Sequence, residues 1–183
     1  PGPGVGGPCL PVNSYQMINF AKRIGFNDFT IVEAGRKINE FMPNHVIELL
    51  KDAFLEFNKE IKNSTILILG VSYKPDIKDI QLTPAESIIS SLIKLGCNVK
   101  IYDPYFKNTT IFGIKTENNI LNVLKETDGL VVVTTHKEFH NLDSTFLKSN
   151  MRSPIVIDSK CILDQQEANK SGLIYRGIGR GKS

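Results

Sequence analysis

Apolar residues recur along this chain at two different periods. Between about Ser14 and Asn58 they return every three or four residues, which is the spacing of an amphipathic helix. Pro43 should bend this run or start a new helix within it. A second subunit or a preceding part of the protein would have to cover so broad a stripe, and we favour a dimer contact. Its positions are Ile31, Val32, Ile38, Phe41, Met42, Val46, Leu49, Leu50, Ala53, Phe54 and Phe57.

From Ser64 onward, strands alternate with helices. The predicted strands are TILILGV, NVKIYDP, GLVVVTT and SPIVIDS. The predicted helices are PAESIISSLIKLG, NNILNVLKETD and part of HKEFHNLDSTFLKS, and the final RGIGRGKS reads as a mobile tail. This alternation predicts an α/β fold, a Rossmann-like, doubly wound parallel sheet preceded by the helical segment. Such sheets bind ligands outside the carboxyl ends of their strands.

Composition narrows the classes of partner. The formal charge of the 183 residues is +3, and the 22 lysines and arginines are scattered, so we expect no nucleic-acid partner. No apolar run approaches the roughly 18 residues of a membrane span, and we expect no membrane partner. Cys9, Cys97 and Cys161 are odd in number and far apart, which argues against a disulfide framework and a metal site. A reducing, cytoplasmic location is expected.

The chain opens on a glycine-rich segment, PGPGVGGPCLPVN, that carries Cys9. A cysteine in such a loop is uncrowded, and the backbone can close around a ligand, so Cys9 is a candidate nucleophile. The alternative is that Cys9 is a small core hydrophobe. The three histidines have no metal-ligand spacing to Cys or Asp, and we interpret them as structural: His45, His136 and His140.

Gly70 and Asp103 occupy the positions at which a dinucleotide fold places its first glycine and its ribose-binding acid. However, the polar loop after Gly70 lacks the glycines that let a pyrophosphate approach a helix. Tyr73 and Lys74 in this loop suit the base and phosphate of a nucleotide at least as well. Its acids, Asp76 and Asp79, could act in catalysis, but we favour the interpretation that they cap turns or the helix start.

Four segments, in this order, resemble the carboxyl-terminal half of the UDP-glucose/GDP-mannose dehydrogenase family: PGPGVGGPCLPVN, RKINEFMP, GVSYKPDIKD and VKIYDP. The opening is most similar to the branch that oxidises UDP-N-acetylmannosamine and UDP-N-acetylglucosamine. The resemblance implies that residues 1–61 form a cysteine loop and a helical homodimerisation segment. Residues 62–183 would form a UDP-binding domain, and an NAD-binding domain would precede both.

The implied activity is NAD-dependent oxidation of the C6 alcohol of a UDP-sugar to a carboxylate. Cys9 would carry the aldehyde as a thiohemiacetal and then as a thioester. The resemblance also implies a nest of backbone N–H groups at Gly6 and Gly7 near the sulfur. It places Tyr73 and Lys74 in the substrate site. The chain alone is expected to be inactive.

Three positions depart from the family pattern. Asn13 stands where relatives have an aspartate that assists the hydrolytic water, and an amide cannot accept the water's proton. Gln81 replaces an arginine that reaches the cofactor, and Lys160 replaces an arginine on the nucleotide side. UDP-glucose as substrate, or a non-catalytic protein that still binds UDP-sugars and dimerises, therefore stay open as alternatives.

Overall fold

The computed structural model describes residues 2–180. Two long helices come first, α1 (Cys9–Arg23) and α2 (Thr30–Glu56). The following strands are β1 (Thr65–Leu69), β2 (Asn98–Tyr102), β3 (Thr110–Ile111), β4 (Ile114–Glu117), β5 (Gly129–Val132), β6 (Ile155–Asp158) and β7 (Ile174–Gly177). The remaining helices are α3 (Pro84–Lys94), α4 (Ile120–Leu124), α5 (Ser144–Asn150) and α6 (Gln165–Lys170), with a 3-10 turn at Lys137–Asn141.

The strands form one seven-stranded sheet in the order β3-β4-β2-β1-β5-β6-β7. All neighbours are parallel except β3 and β4, which form an antiparallel hairpin at one edge. The chain winds outward from β1 toward β2 and then returns to β5 on the other side of β1. The carboxyl ends of β1 and β5 therefore border the crevice of a doubly wound sheet. The predicted α/β, Rossmann-like class is confirmed.

The local sequence explains the central elements. All five residues of β1 are buried, as expected for a parallel strand covered on both faces. Helix α3 starts at Pro84, whose missing N–H costs nothing at a first helical position, and the Thr83 hydroxyl accepts a hydrogen bond from the Ala85 amide at 3.3 Å. Its inner face then packs against the sheet through Ala85, Ile88, Ile89 and Leu92.

The structure differs in two ways from the prediction for the helical run between Ser14 and Asn58. The run is divided at residues 24–29, where Gly25 has a φ of +78°. By contrast, α2 continues through Pro43, so the prediction of a new helix at that proline is wrong. Proline has no N–H for the carbonyl of Asn39 one turn earlier. The backbone of Gly4 approaches that carbonyl, since a Cβ at Gly4 would lie 3.2 Å from the oxygen.

The apolar stripe is covered over only part of its length. The second half of α2 packs against α3, β6 and β7. Its residues in the core are Val46, Ile47, Leu50, Ala53 and Phe54. Helix α1, the connection after it and the first half of α2 instead carry large exposed apolar side chains. We call this surface the α1–α2 apolar face: Met17, Phe20, Ile24, Phe26, Ile31, Ile38 and Phe41. Within residues 2–180, no helix has both the length and the apolar character needed to cross a bilayer.

The carboxyl-terminal prediction is wrong in part. Residues 174–177 form β7, and Arg176 and Ile178 are buried, so the chain is still part of the sheet where a mobile tail was expected. Residues 181–183 of that expected tail lie outside the described residues. The sequence analysis also missed β3, β4 and α6, which are short elements of two to six residues.

Candidate active site

The glycine-rich opening lies across the carboxyl edge of the sheet. At one end, a Cβ on Gly2 would lie 2.9 Å from the Lys160 ammonium. In the middle, the backbone of Val5 is held on both sides by the Asn39 side chain, which accepts from its N–H at 2.7 Å and donates to its carbonyl at 3.1 Å. This segment thus connects the end of β6 with helix α2.

The other end of the glycine segment packs against the loop that follows β1. A Cβ on Gly6 would lie 2.4 Å from the Leu82 carbonyl oxygen, and one on Gly7 would lie 2.6 Å from the Tyr73 ring. Gly7 has a φ of +82°, and its N–H donates to the Gln81 carbonyl at 3.0 Å. That N–H is therefore already used, so the expected anion nest at Gly6 and Gly7 loses one of its donors.

Cys9 is the first residue of α1 and not a loop residue, which corrects the sequence analysis. Its thiol is free and exposed, and the side chain opens onto a pocket of about 260 Å³. The sequence-predicted residues that line this pocket with it are Gly6, Gly7, Tyr73 and Lys74. Backbone N–H groups at a helix start lack intrahelical acceptors, so they are suited to an anionic oxygen.

The other three predicted residues lie outside this pocket lining. Asn13 is one helical turn beyond Cys9 and is exposed. Gln81 is exposed and contacts the glycine segment through its backbone carbonyl. Lys160 follows β6, at the opposite end of the glycine segment.

Lys160 is partly buried, and its ammonium has no ion-pair partner among residues 2–180. Burial lowers the pKa of Lys160 below its usual value, because desolvation disfavours the charged form. An anion at this edge would compensate for that desolvation.

The loop that carries Tyr73 and Lys74 is closed by its own hydrogen bonds. The Tyr73 N–H donates to the Asp79 carbonyl at 3.0 Å, and the Ser72 hydroxyl donates to the Ile77 carbonyl at 2.7 Å. Asp79 also accepts from the Gln81 N–H at 2.9 Å, which confirms its interpretation as a turn-capping residue. Lys74 itself is exposed.

Asp103 is fully buried, and its carboxylate has three donors. It accepts from the N–H groups of Val71 (2.8 Å) and Tyr105 (2.9 Å), and from His136 Nε2 (3.0 Å). Burial by itself would raise the pKa of Asp103, but the hydrogen bonds from His136, Val71 and Tyr105 outweigh it and lower that pKa. Asp103 is therefore a structural acceptor, because full burial together with these three donors keeps its carboxylate away from a ribose.

A larger pocket, of about 390 Å³, lies between α1, α2 and the start of α3. It is lined by Tyr15, Arg36 and Glu40, which contact one another, since both Tyr15 and Arg36 donate to the Glu40 carboxylate. Cys9 and Lys74 do not line it. The exposed Cys9 thiol thus lies on the smaller of these two pockets.

Comparisons with known proteins show the family of the chain. A sequence model described as "UDP-glucose/GDP-mannose dehydrogenase family, UDP binding domain" matches residues 67–165. The chain is 33% identical over 181 residues to the UDP-N-acetyl-D-mannosamine dehydrogenase of Pyrococcus horikoshii, covering 99% of this chain and 40% of that protein. It is 30% identical over 183 residues to the UDP-glucose 6-dehydrogenase TuaD of Bacillus subtilis, covering 98% of this chain and 39% of that protein.

Solved structures give the same result. The UDP-D-ManNAc dehydrogenase of Pyrococcus horikoshii superimposes with a TM-score of 0.87 at 32% identity, over 100% of this chain and 40% of that one. The NDP-N-acetyl-D-galactosaminuronic acid dehydrogenase of Methanosarcina mazei Go1 superimposes with a TM-score of 0.88 at 29% identity, over the same shares. The chain thus spans about 40% of the length of these relatives. It belongs to the UDP-glucose/GDP-mannose dehydrogenase family and contains the UDP binding domain of that family.

Proposed function

We propose that this chain is the UDP-sugar-binding, cysteine-bearing part of an NAD-dependent UDP-sugar 6-dehydrogenase. The observation that carries the proposal is the pocket of about 260 Å³ in which Cys9 meets Tyr73 and Lys74. Cys9 would be the nucleophile, and Lys74 would bind a phosphate. Their place on one pocket fits a substrate that has a phosphate at one end and the reacting carbon at the other. The proposed substrate is a UDP-N-acetylhexosamine, and UDP-N-acetylmannosamine is our first choice because the relative from Pyrococcus horikoshii bears that name. UDP-glucose is the alternative, since TuaD is named for it.

Two lysines provide positive charge for the UDP diphosphate. Lys74 projects from the loop after β1, and Lys160 follows β6, so both lie beyond the carboxyl ends of parallel strands. Ligands of doubly wound sheets bind at this edge. The Lys160 side chain, which is partly buried and makes no ion pair with a described residue, favours an anionic ligand. The Tyr73 ring offers an apolar surface beside them.

Cys9 is proposed to carry the carbon that is oxidised. Its thiolate would attack the C6 aldehyde, forming a C–S bond while the carbonyl oxygen takes a proton, which gives a thiohemiacetal. Loss of a hydride and of the hydroxyl proton would leave a thioester. Water would then attack the thioester carbon, the C–S bond would break, and the sugar carboxylate and the thiol would be released. Asn13, one turn along α1, is placed to orient this water but cannot accept its proton.

In such an enzyme, NAD would accept the hydride that the sugar carbon loses. The turn between β1 and α3 does not fit a dinucleotide. The Cβ position of Gly70 lies 2.6 Å from the Thr134 side chain, and Asp103, the acid that follows β2, is fully buried and already accepts from three donors. We therefore do not propose that NAD binds at this turn. Gln81 is kept as a proposed contact to a cofactor held elsewhere in the protein.

A second function deserves a test because of Asn13. Without a carboxylate at that position, a thioester would be hydrolysed slowly, and the protein could serve instead as a non-catalytic binder of UDP-sugars. In either case we propose a homodimer formed through the α1–α2 apolar face. We also propose a cytoplasmic location, consistent with three free cysteines, Cys9, Cys97 and Cys161.

The test is calorimetric titration of the 183-residue chain with UDP, UDP-N-acetylmannosamine, UDP-glucose and NAD. We expect the three uridine compounds to bind and NAD not to bind. Lys74→Met should weaken UDP binding about tenfold, because one charge-assisted phosphate contact is lost. Lys78→Met is the matched control, since Lys78 is exposed in the same loop and its ammonium lies over the Phe106 ring instead, 5.6 Å from the centroid.

Binding of NAD without UDP would overturn the proposal in favour of a dinucleotide-binding domain. Equal losses in Lys74→Met and Lys78→Met would remove the assigned role of Lys74, because a general change in charge would then explain both. For catalysis, the same chain within its complete protein should trap substrate at Cys9. Absence of a Cys9 adduct in mass spectra would favour the non-catalytic alternative.

A further inference from the structure

His136 is fully buried beside the proposed phosphate-binding loop, and both of its ring nitrogens are engaged. Nε2 lies 3.0 Å from the Asp103 carboxylate, and Nδ1 accepts from the N–H of Asp76 at 3.0 Å. The ring packs between aromatic neighbours, with centroids 4.9 Å from Tyr105 and 5.5 Å from Phe139. The proposed function assigns no role in substrate or cofactor binding to this histidine.

These partners determine the tautomer. A backbone N–H can only donate, so Nδ1 must be unprotonated where it meets Asp76. The proton of a neutral ring is then on Nε2, where it is donated to Asp103, whose carboxylate can only accept. The imidazole thus links a loop amide to a buried carboxylate with one donor and one acceptor, each correctly matched.

The contact between the loop and the 3-10 turn is reciprocal. While the Asp76 N–H donates to His136, the Asp76 carboxylate accepts from the Lys137 N–H at 3.0 Å. Asp76 has a φ of +59°, a left-handed conformation that costs a non-glycine residue energy. A third bond, from the Thr134 hydroxyl to the Ser72 carbonyl, ties the start of the same loop to the end of β5.

We propose that His136 is a positioning residue for UDP binding: through the Asp76 amide it holds the loop that presents Tyr73 and Lys74 to the nucleotide. This inference rests on the proposed function, since it takes Lys74 as the phosphate contact. Lys74 is two residues from Asp76, so loss of this bond frees the loop at the point where the ligand needs it rigid. A loop that must be ordered by the ligand binds more weakly, because ordering costs conformational entropy.

Two substitutions separate the two ring nitrogens. His136→Asn retains an acceptor near the Nδ1 position but does not reach Asp103, whereas His136→Gln retains a donor near the Nε2 position but lacks the acceptor for Asp76. Both lose the ring and leave a cavity beside Tyr105 and Phe139. His136→Asn also takes one donor from the buried Asp103 carboxylate, so we expect it to be the less stable variant, and weaker UDP binding by His136→Gln would then not come from a general loss of stability.

We expect His136→Gln to bind UDP about three- to tenfold more weakly than His136→Asn, because only His136→Asn keeps the acceptor for the Asp76 amide. Amide hydrogen exchange at Asp76 should be faster in His136→Gln than in His136→Asn. Equal UDP affinities and equal exchange in the two variants, or the reverse order, would overturn the inference.

A measurement on the unmodified chain keeps the inference testable if both variants fail to fold. Nitrogen-15 spectra of His136 at neutral pH should show the neutral ring with the proton on Nε2. A proton on Nδ1 would overturn the inference, because that tautomer cannot accept from Asp76. If unmodified protein fails to bind UDP, the proposed function is lost; if it binds UDP and Lys74→Met weakens binding but the two His136 variants do not differ, only the inference is lost.

Discussion

At Gly7, both the backbone and a neighbouring ring exclude a larger residue. Its φ is +82°, and an added Cβ would lie 2.6 Å from the Tyr73 ring. Gly25 has nearly the same φ, +78°, but nothing lies within 4 Å of its Cβ position. The two glycines share a conformation and differ in the space around them. Comparing them separates backbone strain from the contact that forms the pocket.

We predict that Gly7→Ala destabilises the protein more than Gly25→Ala. Each alanine pays about 1–2 kcal/mol for the left-handed backbone. Gly7→Ala should lose about 1–3 kcal/mol more, because Tyr73 must move. Urea denaturation of the two variants measures the difference. Gly7→Ala should also weaken UDP binding, while Gly25→Ala should leave it unchanged; equal stability losses would contradict the close packing of Gly7 on Tyr73.

At the scale of elements, one buried arginine joins the last strand to the long helix. The Arg176 guanidinium in β7 donates through Nε to Asp52 at 3.0 Å and through a terminal nitrogen to Glu56, both on α2. Arg176 is only 6% exposed, whereas the two carboxylates are partly solvated. The pair therefore connects residues more than 100 positions apart and holds β7 in the sheet.

We predict that Arg176→Met lowers the free energy of unfolding by about 2 kcal/mol, because charge-assisted hydrogen bonds at a buried site are lost. The matched control is Lys100→Met, which breaks the more solvated pair with Glu117 and should cost less than about 1 kcal/mol. Chemical denaturation provides both values. Similar losses in the two variants would show that β7 does not depend on the Arg176 pairs.

At the scale of the whole molecule, the α1–α2 apolar face is the main unexplained surface. Ile31 is 87% exposed, and Phe20, Ile24 and Ile38 are each 64% exposed. The sheet covers the second half of α2 only, so the helical periodicity continues past the region that the described residues can bury. Contiguous exposed apolar side chains mark contact surfaces.

We predict that the chain forms homodimers through this face and that Phe20→Asp combined with Ile31→Asp converts them to monomers. A charge in a dimer contact would be desolvated without a partner, which is unfavourable. Leu55→Asp is the control, because Leu55 is exposed near the other end of α2 and outside the defined face. Sedimentation equilibrium measures the masses. A monomer before substitution, or dimers that survive it, would count against this face as the contact.

Element prediction succeeded where the signal was local and strong. The five-residue apolar strand β1 and the Thr83–Pro84 start of α3 are evident from the sequence, because burial on both faces and helix capping each leave a direct pattern. The hairpin β3–β4 and helix α6 are too short for periodicity to identify them. β7 was missed for a different reason: what stabilises it is pairing with β6 and the contact with α2.

The sequence by itself determined the α/β class, the residue types of the candidate site and, through four matching segments, the family. Those features depend on side-chain chemistry and on spacing along the chain, both of which can be read from the sequence. Only the tertiary structure decided that the Gly7 amide is already bonded, that Asp103 is buried with three donors and that His136 reaches Asp76. These facts depend on contacts between distant segments, and such contacts form only when the carboxyl ends of the strands meet at one edge of the sheet.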